Sequence, residues 1–305
     1  MDRRRFLAVA AGSVAEASGF VAQKKDTLKI VSSLPRTGSA KGQTDAIVDG
    51  IRLAIDDDKG EVAGFKIEYT DFDDATPASG QWEAPVEAAN AQKAARDRDV
   101  MAFIGPYNSG AAKVSMPILN EAGLLQISPA CTWPGLTKKT DGDPDAPDVY
   151  RPTKKITFCR VCPHDATQAP LSAEFVAKEL KVKSIYVLDD KELYGQGVAT
   201  LFKKTCEEFK IQVLGHESIN TTQADFKQLM TKVKGQNPEL VYFGGTTQSK
   251  GPQVLKDLRA AGFKGPVMFP DGCYEEAFLK TTDKQDQVNV YVTIGGIDPS
   301  ALTGR

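Results

Sequence analysis

Short apolar runs alternate with longer segments of helical periodicity along most of this chain, and this alternation constrains the fold more than any other feature. Residues 100–104, 184–188 and 240–243 are apolar runs typical of buried strands. Helical segments such as 109–122 and 252–261 lie between such runs. Strands separated by helices of this length are typical of βαβ units and of parallel sheets covered on both faces. The sequence therefore predicts an α/β fold of two consecutive three-layer units.

One segment between the two predicted units breaks the alternation. Residues 137–152 contain three prolines and four aspartates. Proline lacks the backbone N–H that a helix interior needs, and turn-forming residues cluster in loops. We predict a solvated loop here.

The N-terminal residues have the features of an export signal. Three arginines, Arg3 to Arg5, precede an apolar, small-residue run from Phe6 to Ala15, and this order is typical of a secretory signal peptide. The run has about half of the ~20 residues that a membrane-spanning helix needs. The Arg-Arg-x-Phe-Leu arrangement resembles a twin-arginine signal. We predict a signal peptide over residues 1–22 and a mature protein free in the periplasm, with a cytoplasmic tail as the alternative.

Composition excludes several functional classes. The 305 residues include 38 basic and 40 acidic side chains, a balance that argues against a nucleic-acid partner. Five cysteines cannot all pair, and the two histidines, His164 and His216, lie far apart in the sequence. The sequence has no phosphate-binding loop, dinucleotide fingerprint or nucleophile elbow. We expect no enzymatic activity, no catalytic residue, no metal and no cofactor.

Two short clusters leave alternatives open. Cys159 and Cys162 form a C-x-x-C motif, which can serve redox chemistry or half of a zinc site. Their apolar neighbours favour thiols that pack on an interior strand, so an exported oxidoreductase is the less favoured hypothesis. Asp71, Asp73 and Asp74 end a predicted strand. They are typical of carboxylates that face water or cap the next helix, and a cation site is the alternative.

Polar loops follow the predicted strands, at the edge where open α/β sheets bind ligands. In chain order they are 105–109 (GPYNS), 127–132 (ISPACT), 158–165 (FCRVCPHD), 189–197 (DDKELYGQG), 243–245 (FGG) and 270–272 (PDG). In this order and spacing they resemble the periplasmic solute-binding proteins of branched-chain amino-acid ABC transporters, which are Leu/Ile/Val-binding proteins of type I. The resemblance runs from about residue 28 to the end of the chain.

The resemblance implies a type I periplasmic binding protein fold, in which two Rossmann-like lobes with parallel sheets close on a ligand around a hinge. It places lobe 1 at residues 27–157 plus 291–305 and lobe 2 at 158–290. The hinge crossings fall near 158–162 and 291–295. Because family members continue beyond the second crossing, the resemblance also implies a truncated C-terminal part.

The same loops predict a site for a free amino acid. Ser109 lies where a strand turns into a helix, so its hydroxyl and nearby N–H groups can hold a carboxylate. Asp271, at a strand end in lobe 2, would supply the counter-charge for the ammonium. The other predicted contacts are the Ala130 carbonyl, Cys131, the Thr132 hydroxyl, Tyr194 and Thr246. A helix cap at Ser109, a turn residue at Asp271 and a surface aromatic at Tyr194 are the alternatives.

These features predict a non-enzymatic, exported binding protein for an amino acid, branched-chain or related. Its expected partner is an inner-membrane ABC permease, and we expect a monomer without a nucleic-acid partner. The segment Thr246-Thr247-Gln248 stands where amino-acid binders commonly carry aromatic residues. A protein of the same fold that binds or senses an amide or urea is therefore the alternative.

Overall fold

The computed structural model of this protein describes residues 27–140 and 143–296, where strands and helices alternate as predicted. The predicted signal peptide, residues 1–22, lies outside the described residues, and so do residues 297–305 of the predicted lobe 1. Within the described ranges, no helix has the length and apolar character that crossing a membrane requires.

Within the described residues, six strands form the first sheet, in the order β2-β3-β1-β4-β5-β6. They are β1 (Thr27–Leu34), β2 (Glu61–Val62), β3 (Phe65–Asp73), β4 (Val100–Ile104), β5 (Leu125–Ser128) and β6 (Phe158–Arg160). All neighbours pair in parallel except β2 and β3. The connecting helices are α1 (Lys41–Asp57), α2 (Ala84–Arg96) and α3 (Ser109–Glu121). We call residues 27–160, built on this sheet, lobe 1.

A second sheet has five strands among the described residues, in the order β11-β10-β9-β7-β8, and all of its neighbours pair in parallel. They are β7 (Ser184–Asp189), β8 (Gln212–Ser218), β9 (Leu240–Gly244), β10 (Val267–Phe269) and β11 (Val290–Val292). The helices are α4 (Asp165–Lys178), α5 (Leu193–Glu208), α6 (Lys227–Gly235), α7 (Gly251–Ala260) and α8 (Glu276–Lys280). We call residues 165–292 lobe 2.

Strand β9 shows why the apolar runs of lobe 2 are continuous. All five of its residues are buried, because helices cover both faces of the sheet. Tyr242 stacks on Phe202 of α5 with ring centroids 3.9 Å apart. Its neighbour Phe243 packs against Phe269 with an edge-to-face geometry at 6.0 Å. Adjacent residues of one strand thus enter the cores on opposite faces of the sheet.

The predicted lobe boundaries differ from the structure by a few residues. The sequence assigned residues 158–160 to lobe 2, but β6 pairs with β5 in the first sheet. It assigned residues 291–292 to lobe 1, but β11 pairs with β10 in the second sheet. Residues 161–164 connect the two sheets and form the first crossing. Residues 293–296 follow β11 where the second crossing is predicted, and we refer to them by that name. Strand pairing extends to the edge of each crossing, a boundary that local sequence does not show.

The predicted solvated loop is partly buried. Ala146 is fully buried, and Tyr150 is 7% exposed. The Tyr150 ring packs edge-on against Trp133 with centroids 6.5 Å apart, and its hydroxyl donates to Asp143 Oδ2 at 2.8 Å. The expectation of a solvated segment was wrong for this part because Tyr150 and Ala146 join the core of lobe 1 next to Trp133.

Candidate functional site

A cavity of about 330 Å³ lies between the two lobes, at the ends of β4 and β5 on one side and of β7, β9 and β10 on the other. This is the edge at which parallel sheets bind ligands. Five of the seven predicted site residues line it: Ser109, Ala130, Tyr194, Thr246 and Asp271. The structure therefore brings the predicted contacts of both lobes to one cavity.

The start of α3 forms part of the lobe 1 wall. Ser109 is the first residue of this helix, and Asn108 holds the N-cap position without a side-chain hydrogen bond to the backbone. The alternative that Ser109 is the N-cap of this helix was therefore wrong. Ser109 is 2% exposed, and its Oγ accepts a hydrogen bond from the Trp133 backbone N–H at 3.2 Å. The uncapped N–H groups and the positive end of the helix dipole favour an anion here.

Two turns place Ala130 beside this helix start. Gly105 has φ +131°, and a Cβ there would lie 2.3 Å from the Ser33 carbonyl oxygen, so glycine is required. The Ser128 hydroxyl donates to the Pro106 carbonyl at 2.8 Å and accepts from the Cys131 N–H at 2.8 Å. Ser128 thus ties the turn after β5 to the turn after β4.

Cys131 and Thr132 do not line the cavity. Cys131 is fully buried, and its thiol donates to the Pro106 carbonyl at 3.2 Å. Thr132 is 3% exposed, and its carbonyl accepts from the Asp165 N–H at 2.9 Å. The prediction of direct ligand contacts was wrong for these two side chains because the turn after β5 directs them into the protein.

Asp271 lies on the lobe 2 wall, where a short 3₁₀ turn, Asp271–Cys273, follows β10. Its Oδ1 accepts hydrogen bonds from the Tyr194 hydroxyl at 2.5 Å and from Gln168 Nε2 at 2.9 Å. The Gly272 N–H donates to the same Tyr194 oxygen at 3.1 Å. Tyr194 is therefore a structural partner of Asp271 and not a surface aromatic. Burial, and then the charge of Asp271, raise the pKa of Tyr194 well above its usual range.

A second carboxyl lies close to Asp271. Asp165, the first residue of α4, is fully buried. Burial and the negative charge of Asp271 raise the pKa of Asp165 well above its usual range. Asp165 therefore takes up a proton more readily than an exposed aspartate does, and of the two carboxyls only that of Asp271 lines the cavity.

Thr246 lines the cavity, but its hydroxyl belongs to a local turn. Thr246 Oγ1 accepts from the Ser249 N–H at 3.0 Å, and the Thr246 N–H donates to Ser249 Oγ at 2.7 Å. These bonds shape the turn that leads into α7. The side chain contributes a surface to the cavity more than a free hydroxyl.

Sequence reasoning missed several residues of the cavity. The missed lining residues are Gln43, Ala46, Ile47, Tyr107, Asn108, Pro129, Cys162, Gly272, Tyr274, Ile294, Gly295 and Gly296. Helical periodicity predicts Ala46 and Ile47 as core positions, but in the structure Ala46 is exposed and Ile47 is half-buried. Nothing in the sequence marks them as ligand contacts. Gln168 was also missed, although it follows Asp165 by one helical turn and so lies on the same face of α4.

The two lobes contact each other around the cavity. Gln43 Nε2 donates to the Tyr274 carbonyl at 3.3 Å, and Gln81 Nε2 donates to the Gln248 carbonyl at 3.3 Å. The indole of Trp133 leaves no room for a Cβ at Gly197 of α5, which would lie 2.8 Å from Trp133 Cδ1. Lobe 1 thus touches lobe 2 through side-chain contacts as well as through the first crossing.

The C-x-x-C thiols occupy different environments. Cys159 is exposed and Cys162 is half-buried, and both are free. The predicted packing role was wrong for Cys159 because β6 is an edge strand of the first sheet. Cys162 lies in the first crossing and lines the cavity. In residues 27–140 and 143–296, no group of three or more His, Cys, Asp or Glu side chains is arranged to hold a metal ion.

The acidic residues at the end of β3 form hydrogen bonds and a salt bridge within lobe 1. Arg36 donates from Nε to Asp71 Oδ2 and from its backbone N–H to Asp73 Oδ1, both at 2.8 Å. Asp74 is fully buried, so the expected solvent-facing or capping role was wrong for this residue. Burial, and then the charge of Asp73, raise the pKa of Asp74 to about 8. Burial and Asp74 also raise the pKa of Glu87 on α2.

Comparison with known proteins agrees with this geometry. The sequence model of the family described as periplasmic binding protein matches residues 27–301. The chain is 32% identical to the leucine-, isoleucine-, valine-, threonine-, and alanine-binding protein of Pseudomonas aeruginosa over 81% of this chain and 61% of that protein. It is 28% identical to the Leu/Ile/Val-binding protein of Escherichia coli K12 over 87% of this chain and 66% of that protein. The chain thus spans less than two thirds of the length of either relative.

A solved structure shows the same fold. The branched-chain amino acid transporter substrate binding protein LivJ from Streptococcus pneumoniae, in complex with isoleucine, superposes with a TM-score of 0.76. The superposition covers 91% of this chain and 73% of that chain at 23% sequence identity. The chain has two mainly parallel sheets with a cavity between their carboxyl ends, and the family model matches nearly all of the described residues. This chain belongs to the periplasmic binding protein family.

Proposed function

We propose that this protein captures a branched-chain or related amino acid between its lobes and delivers it to an ABC transporter permease. One observation carries the proposal: the same cavity has the uncapped start of α3 on its lobe 1 wall and the carboxylate of Asp271 on its lobe 2 wall. A free amino acid carries the two complementary charges. The relatives named above bind amino acids, which supports the same ligand class.

The polar ends of the ligand have separate partners in this proposal. The carboxylate binds at the start of α3, to the Ser109 hydroxyl and the first N–H groups of the helix. The ammonium binds Asp271 and the carbonyl of Ala130. A buried ammonium needs such a counter-charge, because an uncompensated buried ion costs several kcal/mol.

The remaining cavity lining favours an apolar side chain. Ala46 and Ile47 of α1, Pro129 after β5 and Ile294 of the second crossing line the same cavity. The polar Gln43 beside them is occupied, since it accepts from the Tyr107 hydroxyl and donates to the Tyr274 carbonyl. An aliphatic side chain would therefore be buried against apolar surface without leaving Gln43 unpaired.

Binding would couple to lobe closure. A ligand that touches Ser109 and Asp271 at once stabilises the arrangement in which both lobes meet it, and shifts the population toward that arrangement.

We further propose export through the signal peptide, a monomer in the periplasm, and recognition of the closed form by the permease. Replacing Arg3, Arg4 and Arg5 with lysine should leave unprocessed precursor in the cytoplasm, and normal periplasmic accumulation would contradict a twin-arginine route.

An amide or urea ligand is the second candidate. It is favoured by the polar segment Thr246-Thr247-Gln248, which gives the cavity no aromatic side chain at Thr246. Such a ligand is neutral and would not need the charge of Asp271. A sensing role without a permease would use the same site.

Isothermal titration with a graded panel separates these candidates. We expect L-leucine, L-isoleucine or L-valine to bind the purified protein most tightly. Leucinamide and 4-methyl-2-oxopentanoate, which lack the carboxylate and the ammonium respectively, should bind at least tenfold more weakly. Binding of acetamide or urea in place of every amino acid would assign the second candidate, and an absence of binding to the whole panel would contradict both.

A further inference from the structure

Gln168 joins three parts of the molecule through one carboxamide. It lies in the first turn of α4, directly after the first crossing. Its Nε2 donates to Asp271 Oδ1 at 2.9 Å, and its Oε1 accepts from the Asp271 backbone N–H at 2.9 Å. The same Oε1 accepts from the Thr293 hydroxyl at 2.6 Å. Thr293 belongs to the second crossing.

These bonds hold both the main chain and the side chain of Asp271. With the Tyr194 hydroxyl, they occupy Oδ1 of the carboxylate. Among the described residues, Oδ2 makes no hydrogen bond, and a Cβ at Gly295 would lie 3.9 Å from it. Asp271 itself lines the cavity. The carboxylate is therefore held by one oxygen, while the other stays free for a ligand cation.

We propose that Gln168 is a positioning residue, which sets the orientation of the Asp271 carboxylate toward the ligand's ammonium and couples that orientation to the hinge through Thr293. The inference rests on the proposed function, since it concerns the same site. A carboxamide suits this role because it donates and accepts at once. A carboxylate at position 168 can accept from the Asp271 N–H and from Thr293, but it can donate to Asp271 Oδ1 only when protonated.

The hydrogen bond to Thr293 gives the Gln168 carboxamide a second role. The Thr293 backbone N–H also donates to the Phe269 carbonyl at 3.1 Å, which fixes the second crossing to β10. A rotation of the second crossing moves the Thr293 hydroxyl and, with it, one of the bonds that orient Gln168. Asp271, the ammonium acceptor, is thus connected to the second crossing by two consecutive hydrogen bonds through Gln168, which itself lies on the helix that follows the first crossing.

Titration of L-leucine at pH 7.5 and pH 5.0 tests the positioning role. Gln168→Leu should lower the affinity about 10- to 100-fold at both pH values, because a bond to a charged group is lost. Gln168→Glu should lose at least as much at pH 7.5, where two carboxylates repel. At pH 5.0 it should recover to within about fivefold of wild type, because proximity to other carboxyls raises the pKa of the new group. The groups near position 168 that bear on this recovery are Asp165, Asp271, Tyr194, Cys162 and Arg160.

The matched control is Gln196→Leu, on an exposed position of α5 in the same lobe. It should bind within twofold of wild type. Thermal unfolding without ligand shows whether each variant folds. A well-folded Gln168→Leu variant that binds within threefold of wild type would overturn the proposal. Equal losses for Gln168→Glu at the two pH values would also overturn it, since a structural role predicts no recovery by protonation.

Thr293→Val tests the coupling to the hinge. Alone it should weaken L-leucine binding about two- to fivefold, and in the Gln168→Leu background it should have no further effect. Additive effects in this double-mutant cycle would contradict the coupling. A wild-type protein that binds no amino acid would remove the proposed function together with this inference. Wild-type binding with an unaffected Gln168→Leu variant would remove the inference alone.

Discussion

Lobe 1 lines the cleft with neutral groups, whereas lobe 2 lines it with a carboxylate. On the lobe 1 side Ser109 and Ala130 lie on turns that are held by short-range bonds at the ends of β4 and β5. On the lobe 2 side Asp271 is oriented by two side chains, Tyr194 and Gln168. Because the lobe 1 wall offers mainly main-chain groups, ligand affinity should depend little on any one of its side chains. On the lobe 2 wall, ligand affinity should depend strongly on the charge of Asp271 and on the groups that orient it.

The interiors of the two lobes are more alike, because both bury carboxyl groups. Lobe 1 buries Asp74 and Glu87, both 0% exposed, and lobe 2 buries Asp165 and Asp190, 0% and 4% exposed. Burial raises the pKa of Asp190 to about 7. Both interiors should therefore contribute to the pH dependence of stability, whereas ligand binding should respond mainly to the charge of Asp271 on the lobe 2 wall.

The largest expected effect comes from removing the charge of the lobe 2 wall. Asp271→Asn keeps the shape and should lower the affinity for an amino acid by roughly 2–4 kcal/mol, about 30- to 1,000-fold. Isothermal titration of both proteins measures it. Asp225→Asn, at an exposed position of the same lobe, is the control and should change affinity less than twofold. An amino acid that binds Asp271→Asn within threefold of wild type would remove Asp271 from the site.

The buried pair of lobe 1 predicts a loss of stability with rising pH. The folded-state pKa of Asp74 is about 8, raised from 3.8, and that of Glu87 is also raised. The folded protein therefore holds more protons than the unfolded chain. The stabilisation is fully present below about pH 4 and is lost as the pH rises through about 8, by up to about 1.4 kcal/mol per pH unit for each proton.

Glu87→Gln should make this dependence shallower between pH 6 and pH 9, as measured by urea unfolding. Glu121→Gln, an exposed position at the end of α3, is the matched control and should keep the wild-type slope. A Glu87→Gln variant with an unchanged slope would show that the interior of lobe 1 does not carry the pH dependence.

A smaller effect is expected on the neutral wall. Ser109→Ala removes one hydroxyl but leaves the N–H groups of α3 in place, so affinity should fall by about 1 kcal/mol, roughly fivefold. Ser79→Ala, on an exposed loop of lobe 1, serves as the control in the same titration. If Ser109→Ala lowered the affinity more than 100-fold, Ser109 would matter as much as Asp271, and the expected difference between the two walls would be contradicted.

The smallest effects concern the thiols near the first crossing. Cys159→Ser should change the free energy of unfolding by less than about 0.5 kcal/mol because the side chain is exposed, and Cys162→Ala should cost about 1 kcal/mol. Burial raises the pKa of Cys162 to about 11. Iodoacetamide should therefore modify Cys159 first at pH 7, and bound ligand should protect Cys162 alone. Bound zinc, or reversible disulfide formation between the two, would contradict this assignment.

Much of the site could be predicted because it follows strands. Asp271, Ser109 and Ala130 lie on the loops that follow β10, β4 and β5, and strand ends of parallel sheets meet at one edge. The directions of individual side chains could not be predicted. Cys131 and Thr132 turn inward although they directly follow Ala130, and Cys159 faces solvent because β6 is an edge strand.

Sequence periodicity by itself determined the α/β class, the order of the elements and the loops that carry the site, because strands and helices bury apolar side chains with different repeats. Tertiary structure decided which distant groups meet. Gln168 and Asp271 are 103 positions apart, and Gln168 and Thr293 are 125 apart, yet each pair shares a hydrogen bond. Such contacts depend on how two sheets and two crossings are arranged in space, and no local pattern encodes them. The charge at the cleft and the buried acids of lobe 1 follow from that arrangement.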